Sequence, residues 1–233
     1  MGQMTESTTQ RTPAPRRTNV DEVFDHLYAQ ITSLRLLPGD KISEADIAAQ
    51  FGLSRQPVRD AFSRLVTLDL IVSRPQRATE VKRFSHREIT KSRFVRAAVE
   101  VKVLQEAARH CDAVAAARLD MCLEDQREAV AARDYDRFGA LDYEFHKTLC
   151  AIAKADFAFE VISFEKSKVD RLCLLGLAKE DRMPGLLSDH EAIAKAVKEG
   201  DALAAEEACL LHLSRLDDTI ATVSENNARY FDP

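Results

Sequence analysis

Residues 53–65 read LSRQPVRDAFSRL, and their spacing predicts a short amphipathic helix with a basic outer face. One face carries apolar residues at intervals of four and three, namely Val58, Phe62 and Leu65. Ser54 stands at the N-cap position, and Pro57 falls in the first turn, where a missing amide hydrogen costs least. The opposite face carries long hydrogen-bond donors, so this helix is expected to be partly a recognition surface.

Two further helices are predicted upstream of this segment. The first runs from Asn19 to Leu36, opens with a capping-box-like pair of Asn19 and Glu22, and ends at Pro38-Gly39. The second is short, begins at Ser43, and closes at Gly52, a residue that tolerates left-handed backbone. Helix, helix, three-residue turn and helix follow one another in the order of a helix-turn-helix.

A small hairpin is predicted directly after these helices. Leu70–Ser73 and Thr79–Lys82 are rich in β-branched residues and flank a basic tip, Arg74-Pro75-Gln76-Arg77-Ala78. Three helices with such a hairpin form a winged helix-turn-helix.

The rest of the chain has helical periodicity almost throughout. The pattern begins at Ser85, where Glu88 completes a capping box, and about six helices are expected, with breaks near Asp112, Asp134, Asp156, Pro184-Gly185 and Gly200-Asp201. We therefore predict a mainly α protein whose second part is an all-α antiparallel bundle. The predicted divisions are a flexible tail at 1–18, a winged helix-turn-helix at 19–83, a helical effector-binding domain at 84–224 and a C-terminal tail at 225–233.

Composition and charge narrow the function classes. The net charge is −5, but residues 1–83 hold 12 Lys and Arg against 10 Asp and Glu, whereas the remainder holds 21 against 28. The first part is therefore the better candidate for nucleic-acid binding. No apolar run approaches a membrane span, the first twenty residues lack the apolar core of a secretory signal, and the five cysteines show no C-x-x-C pair. We expect a cytoplasmic protein with no membrane partner.

The outer face of the helix at 53–65 matches the chemistry of base recognition. In a helix-turn-helix, the start of the second helix lies in the major groove of double-stranded DNA, where Arg binds guanine and Gln binds adenine. The residues predicted to contact DNA are Ser54, Arg55, Gln56, Arg59, Arg64, Arg74 and Arg77. The alternative is that these arginines are ordinary solvated surface.

The segment at 53–65 resembles the S-R-x-P-V-R-[ED]-A-L-x-R-L signature of GntR-type regulators. The resemblance continues through Leu37–Glu44 upstream and Arg74–Val81 downstream, and it implies a DNA-binding transcription regulator. Asp69 and Ala78 replace glycines that are usual before the first wing strand and at the wing tip. Ala45 stands where some relatives place a base-contacting arginine, so the operator cannot be copied from them.

Three histidines lie on apolar faces of three predicted helices in the second part. Asp142 and His146 are four residues apart, and His190 and His212 lie on later helices. Core histidines are often simply hydrogen-bonded. Three of them with a carboxylate one turn away make a typical set of ligands for Zn²⁺ or Ni²⁺.

This part also resembles the FCD ligand-binding domain, in the stretches Asp142 to His146, Asp189 to Ile193 and Cys209 to Leu213. The resemblance implies a divalent metal ion held by Asp142, His146, His190 and His212. Arg96 and Glu100 match a further motif, R-x-x-[LV]-E, and we interpret Arg96 as the counter-charge for an effector carboxylate. The alternative is that Arg96 and Glu100 form an ordinary surface pair.

We therefore predict a homodimeric transcription regulator that binds operator DNA and responds to a small organic acid beside a divalent metal ion. A metal-dependent hydrolase is the enzyme alternative, because an aspartate and three histidines can activate a metal-bound water. A metal-free bundle that binds a ligand, with the same regulatory role, is the other.

Overall fold

The structure is a computed structural model that describes residues 18–74, 77–175 and 179–232. Its helices are α1 (Asn19–Thr32), α2 (Glu44–Phe51), α3 (Arg55–Thr67), α4 (His86–His110), α5 (Ala113–Ala132), α6 (Tyr135–Ile152), α7 (Phe157–Cys173), α8 (Lys179–Lys198), α9 (Ala202–Ser214) and α10 (Leu216–Asn226). Its strands are β1 (Lys41–Ile42), β2 (Ile71–Val72) and β3 (Thr79–Val81). The predicted tail up to residue 17, the wing-tip residues Pro75 and Gln76, and Pro233 lie outside the described residues.

The chain divides into two compact units. The N-terminal unit contains residues 18–32 and 40–82, and the C-terminal unit contains residues 33–39 and 83–232. The connection after α1 therefore belongs to the C-terminal unit, although the sequence analysis had assigned it to the N-terminal domain.

The N-terminal unit is a three-helix winged helix-turn-helix, as predicted. Apolar side chains from all parts of the unit form its buried core, among them Val23, Leu27, Ile31, Val58, Phe62, Leu65, Ile71 and Val81. The sheet has the order β1-β3-β2, with both pairs antiparallel. Strand β1 was not predicted, because a strand of two residues shows no measurable alternation of polar and apolar side chains.

Side-chain caps and a left-handed glycine define helix ends in this unit. Ser43 accepts a hydrogen bond from the amide of Asp46 at 3.4 Å, and Gly52 adopts φ +64° at the end of α2, both as predicted. The reciprocal cap of α1 is formed one residue earlier than predicted, between Thr18 and Asp21. Asp69 adopts φ +60°, a conformation that glycine favours and that Asp tolerates better than most residues, so the turn before β2 keeps its shape without glycine.

The C-terminal unit is a helical bundle built around one large apolar core. This core takes residues from α4, α5, α6, α7, α8 and α9, including Leu104, Leu119, Phe145, Ile162 and Val197. Aspartates cap the starts of α5, α6 and α9, as the predicted breaks at Asp112, Asp134 and Asp201 require.

The predicted break at Pro184-Gly185 is wrong, because α8 runs through both residues. The proline is the sixth residue of α8, so the helix continues although one of its backbone hydrogen bonds is missing. Met183 beside it is buried against Ala129 and Phe138, which anchors this end of α8 on the bundle.

The segment interpreted as a C-terminal tail is packed in the structure. Residues up to Asn226 continue α10, a 3-10 turn follows at Ala228–Tyr230, and the next residues pair with Phe84. The Phe84 amide donates to Tyr230 O and the Asp232 amide donates to Phe84 O, each at 2.8 Å. Phe231 is buried with Phe84 and Tyr230. The apolar periodicity of a helix could not reveal this extended pairing.

Replacing Phe231 by alanine should lower the free energy of unfolding of the C-terminal unit by about 3 kcal/mol, because it removes a buried aromatic ring and leaves a cavity. Met121→Ala is the control, since Met121 is 69% exposed on α5. Urea denaturation measures both. Equal midpoints for the two variants would show that the C-terminal segment does not stabilise the unit.

Candidate functional sites

The start of α3 presents long donors to solvent. Arg55, Gln56 and Arg59 are exposed, whereas Val58 on the opposite face is fully buried. Ser54 precedes them in extended conformation, and its side chain makes no capping hydrogen bond. The predicted N-cap bond is therefore absent, and the hydroxyl does not satisfy an amide at the start of α3.

Two of these donors contact acidic side chains of the same unit. Gln56 Nε2 donates to Asp60 Oδ1 at 2.9 Å, and Arg59 Nη2 lies 3.3 Å from Glu44 Oε2. The Arg59 side chain is nevertheless 58% exposed. An exposed ion pair of this kind contributes about 0–1 kcal/mol, so it can be exchanged for a stronger partner.

Arg64 has a different environment from the other arginines of α3. Its Nη1 donates to Asp21 Oδ1 at 2.9 Å, and its guanidinium lies 4.0 Å above the ring centroid of Phe24. Hydrogen bonds from Thr18, together with Arg64, lower the pKa of Asp21 to about 2. Arg64 therefore connects α3 to α1 in addition to adding positive charge.

The wing carries the remaining predicted cations. Arg74 and Arg77 are both exposed, and the Arg77 amide donates to Arg74 O at 3.2 Å. Both residues line an open cleft together with Lys41 and Glu80.

The three histidines predicted as ligands meet in the interior of the bundle. His146 comes from α6, His190 from α8 and His212 from α9, and each offers a nitrogen within 4.8 Å of the other two. Asp142 lies one turn before His146, and its Oδ1 is 3.5 Å from His146 Nε2 and 3.2 Å from His190 Nε2. All four side chains are buried, so the structure brings together the whole set of predicted ligands.

A second layer of polar groups orients the imidazole rings. His190 Nδ1 is 2.8 Å from Gln126 Oε1, and His146 Nδ1 is 3.1 Å from Glu100 Oε2. His212 Nδ1 faces Asp189 Oδ2 at a longer distance of 3.6 Å. Acceptors at hydrogen-bond distance, as for His190 and His146, fix the Nδ1 proton and leave Nε2 for a metal ion, whereas His212 Nδ1 forms no hydrogen bond.

Two inner nitrogens lie near Asp142 Oδ1 without forming a hydrogen bond to it. His146 Nε2 and His190 Nε2 are buried and unsatisfied. A buried polar atom without a partner costs about 1–3 kcal/mol, so two of them in one place need an explanation. Imidazole nitrogens with a carboxylate are a suitable ligand set for Zn²⁺ or Ni²⁺, and the residues present therefore fit a divalent metal ion.

The two histidines closest to Asp142 differ in their protonation. Burial lowers the pKa of His190 to about 4, so this ring is neutral near pH 7. Burial acts in the same direction on His146, but Glu100 and Asp142 outweigh it and raise the pKa of His146 to about 9. His190 therefore offers a free lone pair, whereas binding of a metal ion by His146 releases a proton.

Arg96 and Glu100 form a buried pair, which rules out the alternative of an ordinary surface pair. Arg96 Nε donates to Glu100 Oε1 at 2.7 Å, and both side chains are only 3% exposed. Burial would raise the pKa of Glu100, but Arg96 and His146 hold it well below its usual value. Arg96 also lines a cavity of about 120 Å³, together with Arg93, Leu213 and Ser214.

Each of the two units matches a known protein family. Residues 19–81 match the family "Bacterial regulatory proteins, gntR family", and residues 93–215 match the FCD domain. The HTH-type transcriptional repressor RspR of Escherichia coli (strain K12) is 30% identical over 210 residues, which cover 90% of this chain and 92% of RspR. The chain belongs to the GntR family. It is a transcription regulator with an FCD domain, as the sequence analysis predicted.

Other transcription regulators are also similar to this GntR regulator in sequence or in fold. The HTH-type transcriptional regulator LutR of Bacillus subtilis (strain 168) is 27% identical over 220 residues, which cover 83% of this chain and 97% of LutR. Two solved structures share the fold. Escherichia coli McbR/YncC has a TM-score of 0.67 at 19% identity over 91% of this chain and 99% of its own. A GntR regulator from Rhodococcus sp. RHA1 has a TM-score of 0.69 at 22% identity over 88% of this chain and 97% of its own.

Three polar residues around the histidines of this GntR regulator were not predicted from the sequence. Gln126 and Asp189 contact the outer nitrogens of the histidines, and Lys166 lies 2.6 Å from Asp142 Oδ2. Asp189 could have been found, because it directly precedes a predicted ligand. Gln126 and Lys166 gave no such signal, because a polar residue on a helix shows no sign of its burial.

No helix among the described residues combines the length and the apolar character that a bilayer crossing requires.

Replacing Arg96 by methionine should lower the free energy of unfolding by about 3 kcal/mol, because Glu100 is left as a buried charge without its closest cation. Lys102→Met is a matched control on the same helix, since Lys102 pairs with Glu106 at the same spacing but is 64% exposed. Chemical denaturation should show a change below about 0.5 kcal/mol for the control. Two variants of equal stability would contradict the importance of the buried pair.

Proposed function

We propose that this GntR regulator is a homodimer that binds operator DNA through α3 and the wing, and that a small organic anion bound beside a divalent metal ion controls its operator affinity. The observation that carries the proposal is the pairing of an exposed basic face on α3 with a buried centre of three histidines in the other unit. The basic face can bind DNA, and the histidine centre can bind a metal ion and a small-molecule effector.

The proposed DNA contacts start from α3. Arg55, Gln56 and Arg59 would contact base edges in the major groove, with Ser54 at a phosphate. Arg74 and Arg77 would contact the DNA backbone from the wing. Arg64 would contribute its positive charge to this surface. Its guanidinium already binds Asp21, so it is less free than the other arginines to contact DNA directly.

The proposed metal centre uses Asp142, His146, His190 and His212. Its support is the geometry of the buried nitrogens and the outer acceptors. A bound ion would act as a Lewis acid toward an effector carboxylate. This chain's own part is to hold the rings in place and to exclude water, and Arg96 would supply the counter-charge to the anion.

The cavity beside His146 is small. It has a volume of about 10 Å³ and is lined by Glu100, Val103, Leu104, His146, Leu149, Ile162 and Ile193. Such a space holds about one water molecule, so an effector can enter only if the surrounding side chains move. A ligand that requires such movement distinguishes two states of the bundle, which is what an allosteric response needs.

A homodimer has support from an exposed apolar stripe on α7. Phe157, Val161 and Phe164 recur along one face of this helix and are 77%, 42% and 40% exposed. Phe94 on α4, which packs against α7, is 76% exposed. A second copy would cover these side chains and would bring two reading helices to two half-sites.

Two alternatives differ in their support. The metal-dependent hydrolase loses support because the matched relatives are transcription regulators. The metal-free regulator is the second candidate, since the Lys166 ammonium already gives Asp142 a cationic partner. Metal analysis separates it from the first proposal.

Replacing Arg59 by alanine should weaken operator binding by about 1–3 kcal/mol and relax the preference at one base pair. The operator is first selected from a random DNA pool with the full chain, and affinities are then measured by fluorescence anisotropy at fixed salt. Arg109→Ala, which removes an exposed arginine of α4, is the control. If Arg59→Ala binds the selected DNA as tightly as the control, the proposed docking is wrong.

Replacing His190 by alanine should abolish most metal retention. Elemental analysis of dialysed protein is expected to find about one Zn²⁺ or Ni²⁺ per wild-type chain, because the ligand set is complete. His110→Ala is the control, since His110 is exposed on α4. Equal metal content in the two variants would exclude the histidine centre as the binding site.

A further inference from the structure

Lys166 lies where the histidine centre meets α7, and it is almost fully enclosed. Its side chain is 8% exposed, and Nζ lies 2.6 Å from Asp142 Oδ2 and 2.6 Å from Asp170 Oδ2. The ammonium also lies 4.3 Å from the ring centroid of Tyr143, whose hydroxyl donates to the same Asp170 oxygen. A buried lysine held this firmly acts as a fixed charge.

The ammonium and the histidines share one carboxylate. Asp142 Oδ2 binds Lys166, whereas Asp142 Oδ1 faces His146 Nε2 and His190 Nε2. A metal ion held by the histidines would therefore bind one oxygen of a carboxylate whose other oxygen already has a cationic partner. A neutralised carboxylate is a weaker ligand, and the two cations would repel each other at short range.

The charge balance around the centre agrees with this arrangement. Among the described residues, Arg96 and Lys166 supply two positive charges beside the carboxylates of Glu100, Asp142 and Asp170. Without Lys166, a protonated His146 would be the one cation beside Asp142 among the described residues, and His146 would lose that charge on binding a metal ion. Buried carboxylates in that situation destabilise a fold strongly.

We propose that Lys166 acts as a built-in cation that allows the centre to fold without metal and that weakens the binding of the metal ion. The ion is then an exchangeable partner of the regulator and is not required for folding. This inference rests on the proposed metal centre, since it concerns how tightly that centre holds its ion.

The test compares Zn²⁺ affinity and thermal stability in the full-length protein. Lys166→Met removes the charge, and Lys166→Gln removes it while keeping a donor for Asp142. Both should bind Zn²⁺ at least tenfold more tightly than the wild type in competition titrations with a chelating dye. Both should also melt lower than the wild type in chelator and regain stability when Zn²⁺ is added. The wild type should melt as a folded protein in chelator.

Two further variants complete the test: one is expected to change Zn²⁺ affinity in the opposite direction, and the other is a control. Asp170→Asn removes the second carboxylate on Lys166, concentrates the ammonium on Asp142, and should weaken Zn²⁺ binding. Asp170 is 38% exposed, so this variant is expected to fold even if the Lys166 variants do not. Lys168→Met is the matched control, because Lys168 lies on the same helix but binds Glu165.

Zn²⁺ binding that is unchanged or weaker in both Lys166 variants, or unchanged in Asp170→Asn, would overturn the role of Lys166 while leaving the metal centre in place. Wild-type protein that unfolds in chelator would overturn it as well. Absence of Zn²⁺ binding in the wild type and in every variant would overturn the metal centre itself, and the inference with it. Operator binding, which α3 provides, would then be unaffected.

Discussion

Buried imidazole nitrogens must have partners, and this requirement organises the C-terminal unit. The outer nitrogens of His146 and His190 face Glu100 and Gln126, respectively, whereas their inner nitrogens lie near Asp142 Oδ1 without forming a hydrogen bond. A bundle that only needed an apolar core would place leucine at these positions, without any cost of desolvation. In the metal centre that we propose, an ion would accept the inner lone pairs and offset this cost.

The helices that carry the histidine ligands have defined starts. Asp134 accepts the Arg137 amide at the start of α6, and Asp201 accepts amides at the start of α9. A cap sets where the helix begins, and the period of 3.6 residues then sets which side chains face inward. Asp142 and His146 are one turn apart on the inner face of α6, and His212 faces inward from α9. The caps thus fix the starts of α6 and α9, and packing of the apolar faces in the shared core directs these side chains inward.

The N-terminal unit separates its two faces by the same principle. Val58, Phe62 and Leu65 are buried, and Arg55, Gln56 and Arg59 remain in solvent on the other side of α3. Because the apolar stripe is fixed by packing, the donors have a defined direction, which a DNA groove requires. Their contacts with acidic neighbours are exposed and weak. The unit therefore presents an ordered and accessible basic face.

The sequence was sufficient for features that depend on near neighbours in the chain. Amphipathic periodicity predicted the helices, and the motif at residues 53–65 predicted the α3 surface. The prediction that the three histidines meet depended on the FCD resemblance, because no local sequence pattern shows which helices pack together. Gln126 contacts His190 across 64 positions of the chain, and periodicity carries no information over that distance. The two-residue strand β1, the extended pairing of Phe84 and the continuation of α8 through Pro184 likewise depend on tertiary packing that overrides local preference.

The most direct measurement is the coordination of the metal in the purified, Zn²⁺-loaded protein by X-ray absorption spectroscopy at the zinc edge. We expect the zinc ion to be coordinated by three imidazole nitrogens at about 2.0–2.1 Å and carboxylate oxygen at about 2.0–2.2 Å, with the imidazole scattering reduced when His146 is replaced. A shell dominated by sulfur, or a shell without imidazole, would contradict the central claim that the three buried histidines form one metal centre.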